Sequence, residues 1–183
     1  MDRLDLVGVG CVSIDDLLYV DASLADDKGR IQASERQPGG NIATALVAAA
    51  GLGASVAFVA RLSDREDGAV VRADLAAHGV DLEFALPDPQ ARPIRATVVV
   101  FQQGDRFIAY DDATTIGLLP GDDLTPLLQA RTVLLDTYAL APIMTALGSD
   151  VIGKKHCEKL RHCIMNLDSA EKLDELLALT ITR

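Results

Sequence analysis

The chain has 183 residues, 49% of them hydrophobic, which suffices for one good core. Its net charge of −10 argues against a nucleic-acid partner, because a phosphate backbone is bound by a basic face. No apolar run is long enough for a bilayer, no basic stretch leads into an apolar one at the N-terminus, and three cysteines (Cys11, Cys157, Cys163) make no disulfide framework, so a soluble, cytoplasmic protein in a reducing compartment is expected.

Leu4–Gly10 is a near-continuous apolar run and predicts a parallel strand covered on both faces. Beyond it stand Asp15 and Asp16, at the strand end where open α/β sheets hold their ligands. Leu17–Asp21 and Arg30–Gln37 are more polar; the second alternates as a half-exposed strand does. Pro38-Gly39-Gly40-Asn41 then leads into an Ala-rich helix predicted over Asn41–Leu52, with Asn41 as its cap and Gly51 or Gly53 as its end. Two adjacent glycines let the backbone turn sharply and come close to a bound hydroxyl compound. Strand Ser55–Ala60, helix Asp67–His78, hairpin Arg95–Gln102 with Arg106–Tyr110 about Gly104, a short helix over Asp122–Gln129 and strand Thr132–Asp136 follow. Strands alternating with helices imply a parallel sheet with crossover connections.

The composition breaks near residue 149. Residues 1–149 hold 11 basic and 21 acidic residues, all seven prolines and 13 of the 14 glycines, whereas the rest holds six of each charge and four of the five lysines. This last part predicts two helices, Lys154–Met165 and, capped by Ser169, Ala170–Leu179. His156 and Cys163 share a helix face there, but the spacing of a common structural zinc site is missing and no metal site is expected.

The run Gly39-Gly40-Asn41-Ile42-Ala43-Thr44, the Ala-rich helix ending Gly51-Leu52-Gly53, the stretch Leu62-Ser63-Asp64 to Gly68 and the closing Gly79-Val80 resemble the N-terminal half of the ribokinase-like (PfkB-type) carbohydrate kinases. The resemblance covers about residues 4–148, with Leu62 where that family often has Gly. It implies a ribokinase-like α/β fold: a Rossmann-like parallel central sheet with flanking helices, and a small β lid from strands about 17–37 and 95–110. It also implies an activity, ATP- and Mg2+-dependent phosphorylation of a sugar hydroxyl, and a homodimer through the lid. By the same resemblance Asp15 grips sugar hydroxyls, as a carboxylate accepting from neighbouring O–H groups can, with Asp16 the alternative. Gly39, Gly40 and Asn41 contact the sugar, and Thr44 stands where many members have Asn. Asp136 matches a position that is an acidic substrate contact in some members; a cap for a helix over Tyr138–Leu147 is the other reading. Asp111 and Asp112 follow the lid hairpin.

The family's second signature, Asp-Thr-x-Gly-Ala-Gly-Asp, supplies an amide-lined anion hole and the catalytic base. No Gly-Ala-Gly-Asp occurs in the 183 residues, nor does the metal-associated Asn-x-x-Glu: Asn166 is followed by Ser169. Pro120-Gly121-Asp122-Asp123 reads as a turn. No catalytic residue is therefore named, and binding sites for ATP and Mg2+ are expected to be absent. The expectation is residues 1–148 as the N-terminal part of a kinase domain lacking the C-terminal half of the fold, and 149–183 as a helical tail of unclear origin, from truncation, frameshift, fusion or a lineage-specific helix pair. Two functions stand: a catalytically impaired carbohydrate kinase, or a non-catalytic sugar-binding or dimerising remnant.

Overall fold

The computed structural model describes residues 3–111, 122–123, 125–128, 130–136 and 153–165. Its first element, β1 (Leu4–Val9), is the central strand of a three-stranded parallel sheet, between β4 (Val56–Phe58) and β9 (Ala130–Leu135). Leu6 lies opposite Val56 on one side and Thr132 on the other; Gly8 lies opposite Phe58 and Leu134. Both faces of β1 are covered, which is why the run is apolar without alternation. Val7 and Val9 pack with Ala57, Val59 and Leu127, the last from the short helix α3 (Thr125–Leu128). On the other face α1 (Asn41–Gly51) lies so close to Gly8 that a Cβ there would stand 2.7 Å from both Ile42 and Leu46.

From β1 the chain passes into a second, four-stranded sheet ordered β3-β2-β7-β8, built from β2 (Ser13–Val20), β3 (Ile31–Gly39), β7 (Ile94–Phe101) and β8 (Arg106–Asp111). β2 runs antiparallel to β3 and parallel to β7, and β7 and β8 form the expected hairpin, with Gly104 at φ 88° in its turn. Here the structure corrects the sequence reading: Asp15 and Asp16 lie inside β2 and not at the end of β1. Their alternation decides their use, since neighbours on a strand point to opposite faces.

The base of this lid is tied to the rest by a core of Ile14, Ile94, Ile42, Leu46, Phe58 and, from α2 (Glu66–Ala77), Val71 and Leu75. Two short strands, β5 (Arg61–Leu62) and β6 (Leu86–Pro87), pair in parallel beside it. The strand expected over Ser55–Ala60 is thus shortened to Val56–Phe58, and of the helix expected over Asp122–Gln129 the described residues form a single turn, Thr125–Leu128. α4 (Lys154–Met165) has the ends read from the sequence, with Cys157 buried. The helices expected over Tyr138–Leu147 and Ala170–Leu179 lie outside the described residues. No described helix is long and apolar enough to cross a membrane.

Candidate functional site

The chain leaves the central sheet and returns to it at one place. It exits β1 through Gly10, Cys11 and Val12, runs out along β2, comes back along β3, and enters α1 through Gly39 and Gly40. Ser13 and Gly39 form the first pair of the β2–β3 ladder, so exit and return are side by side. The return needs glycine: Gly40 has φ 100° and ψ 142°, and a Cβ on it would come within 2.7 Å of the Cys11 carbonyl oxygen and the Val12 Cα. Gly39 needs it for a different reason. A Cβ there would stand 2.5 Å from Asp15 Oδ2 and 2.9 Å from Ser13 Oγ. The bare backbone of Gly39 is thus the floor on which the Asp15 carboxylate and the Ser13 hydroxyl rest.

Asp136, one residue past β9, closes the other side. Its carboxylate covers Gly10, where a Cβ would collide with it, and Oδ2 accepts from the Cys11 N–H at 2.6 Å. Burial first, then the Asp136 carboxylate, push the Cys11 thiol up to about 11, against the pull of the Asn41 and Ile42 amides at the head of α1. Cys11 is therefore a neutral buried thiol at ordinary pH. Asp136 ties β9 to the exit of β1, and its carboxylate holds that junction whatever else it touches.

Of the six residues read as substrate contacts, Asp15, Gly39, Gly40 and Asp136 surround this junction, linked in turn through Ser13, Val12, Cys11 and Gly10. Asn41 differs from the sequence reading. Gly40 is the cap residue, no side chain caps α1, and Asn41 is the first helical residue, exposed. The unusual backbone of Gly40 starts the helix one residue earlier than a side-chain cap at Asn41 would. Thr44 lines a cavity of about 240 Å³ between α1 and α2, with Val47, Val71, Leu75 and His78 among its walls. Asp111 ends β8 opposite Arg95, and Asp112 lies outside the described residues.

Sequence reasoning missed Ser13, which shares a strand face with Asp15 at a spacing of two, and it missed the use of Asp67 in the first turn of α2. Asp67 Oδ1 accepts from Arg36 of β3 at 2.6 Å and Oδ2 from Arg95 of β7 at 2.7 Å. Arg36 also stands 3.8 Å from Asp16. The lid is thereby pinned to α2 through the strands on either side of β2. A concavity of about 350 Å³ lies beside this pin, between Ser63, Arg65, Gly68 and the segment reaching Pro93. Arg61 makes a second tie, to Asp122 and, at 3.6 Å, to Asp88.

Among the described residues no three His, Cys, Asp or Glu side chains are grouped to hold a metal ion, and the side chains of His156 and Cys163 are not among those described.

A profile of the pfkB family carbohydrate kinases matches residues 4–177, running past the composition break near residue 149. Among solved structures, a ribokinase from Arabidopsis thaliana, complexed with ribose and ATP, superposes with a TM-score of 0.66 at 20% identity, over 86% of this chain and 52% of that one. The ribokinase from Cryptococcus neoformans var. grubii serotype A, in complex with ADP, gives 0.65 at 19%, over 81% and 47%. A PfkB protein from Polaromonas sp. JS666 gives 0.65 at 18%, over 88% and 52%. The ribokinase-like α/β fold is shared, and the chain spans about half the length of these structures.

Proposed function

The chain belongs to the pfkB family of carbohydrate kinases, and on that premise we propose that it supplies the sugar-holding part of such a kinase and, by itself, little or no phosphoryl transfer. The observation that carries the first half is the junction at Gly39. There an acidic side chain, a hydroxyl and bare backbone meet at the mouth of the lid, as hydroxyl recognition requires. Asp15 accepts from adjacent sugar hydroxyls, Ser13 orients beside it, and the absence of side chains at Gly39 and Gly40 lets the ring approach the backbone. Asn41 and Thr44 stand in the first turn of α1 at the edge of this cradle, and Asp136 holds its far side. ATP with Mg2+ is the phosphoryl donor that family membership implies.

The second half rests on the sequence. Phosphoryl transfer needs a base, donors for the transferring group and a held metal ion. The 183 residues contain no Gly-Ala-Gly-Asp, the run that would supply a base at an amide-lined helix start. In this reading residues 1–148 carry the cradle and lid, 149–183 form a helical tail into which the family match continues as far as residue 177, the protein works in the cytoplasm, and two copies meet through the lid. The lid supports the last point, for it leaves Phe107 55%, Ile108 45% and Tyr110 63% exposed on one strand.

The test is a coupled ADP-release assay over a panel of sugars, run beside calorimetry on the same samples. We expect heat of binding from at least one sugar, lost in Asp15→Asn, with ADP release at background. Robust turnover contradicts the impaired-catalysis half; no binding by any sugar contradicts the cradle.

A further inference from the structure

Family membership leaves open whether the substrate is neutral or carries a phosphate or carboxylate, and the lid decides between these by where it puts its charges. The pairing registers assign the lid side chains near the cradle to one of two faces, because directly paired residues share a face and successive residues switch. One rung on the cradle face reads Gln37, Asp15, Ala96, Tyr110; the rung towards α1 is Gly39, Ser13, Ile94; the rung outward is Glu35, Leu17, Val98, Ile108. The opposite face carries Arg36 beside Asp16 and Thr97, and Arg95 beside Ile14 and Asp111. The two arginines nearest in sequence to the cradle are thus behind the sheet, and both are bound to Asp67 at 2.6 and 2.7 Å. Arg106 is on the cradle face, but it pairs with Val100, two rungs outward from Ala96. At about 3.3 Å per residue that is roughly 13 Å away, beyond the ~8 Å screening length of physiological salt.

The charges left at the cradle are therefore acidic: Asp15 on the rung itself, Glu35 on the next and Asp136 across the junction. Opposing them is the head of α1, worth about half a positive charge, and its Asn41 and Ile42 amides already face the Cys11 sulfur. These three carboxylates outweigh that half charge. From this balance we propose that the cradle takes an uncharged polyol or sugar and discriminates against phosphorylated sugars and sugar acids. The inference rests on the cradle reading above and adds the substrate class.

The experiment is calorimetry on the full chain with D-ribose and D-fructose, their phosphate esters, and gluconate, at 20 and 200 mM salt. The neutral sugars bind, the charged ones bind at least tenfold more weakly, and the gap narrows at high salt as repulsion is screened. Gln37→Arg, which places a cation on the cradle rung, narrows or inverts the preference. A phosphate ester or gluconate bound as tightly as the parent sugar by the unmodified chain overturns the charge argument while leaving the cradle standing. If none of the five binds, the cradle reading fails and the substrate class falls with it.

Discussion

Two neighbouring glycines do separate jobs, and substitution distinguishes them. At Gly40 an added methyl meets main chain at 2.7 Å and the backbone is at φ 100°, so nothing flexible can give way. Gly40→Ala should destabilise the protein by roughly 2–4 kcal/mol, read as a lowered midpoint of chemical unfolding. At Gly39 the methyl meets the far end of the Asp15 side chain, which can rotate aside. Gly39→Ala should therefore fold with a nearly unchanged midpoint and lose about 10–100-fold in sugar affinity, the cost of one hydrogen bond to a charged group. Equal loss of stability in the two variants would show that Gly39 serves the turn and not the site. The Gly-Gly pair was legible in the sequence; the division of labour was not, because it depends on which atoms of the stretch Cys11–Asp15 lie beneath each residue.

At the scale of elements, the lid is joined to the body by a small apolar base and by the Asp67 pin. Ile14 and Ile94 are buried, whereas β3 is exposed over most of its length. An exposed sheet with few buried contacts opens easily, so the pin should govern its local motion. Arg36 and Arg95 are substantially exposed, and surface ion pairs add little to global stability. In Asp67→Asn the unfolding midpoint should hardly move, while amide exchange in β3 and β7 quickens several-fold and that in β1 and β4 does not. Unchanged exchange in the lid would mean the apolar base alone holds it. The sequence marked both lid hairpin strands and the alternation of β3, each start within one residue, yet it placed the start of β2 four residues late, at Leu17 instead of Ser13. Asp15 and Asp16 read as residues beyond the end of β1 because a carboxylate pair breaks the apolar run; pairing to β3 and β7 on both sides makes them strand.

For the molecule as a whole, the parallel sheet and the Ala-rich helix were legible from apolar periodicity and glycine placement, whereas the separate lid was legible only through the family resemblance. Asp136 was readable as an acid at a strand end, a substrate contact by resemblance or a helix cap, but not as the tie it makes. Its grip on the Cys11 amide crosses 125 residues of chain, and no local pattern reports such a contact. Asn41 was misread as a cap for a related reason: the turn at Gly40 is set by the packing of Gly40 on Cys11 and Val12. The account reduces to one claim, that the place where the chain leaves and re-enters the central sheet holds the hydroxyls of a sugar. Amide chemical-shift mapping during titration with a neutral sugar tests it most directly. The account predicts the largest shifts at Ser13, Asp15, Gly39 and Gly40, abolished in Asp15→Asn; saturable shifts centred instead on Val71 and His78, or on the Arg65–Pro93 concavity, would contradict it.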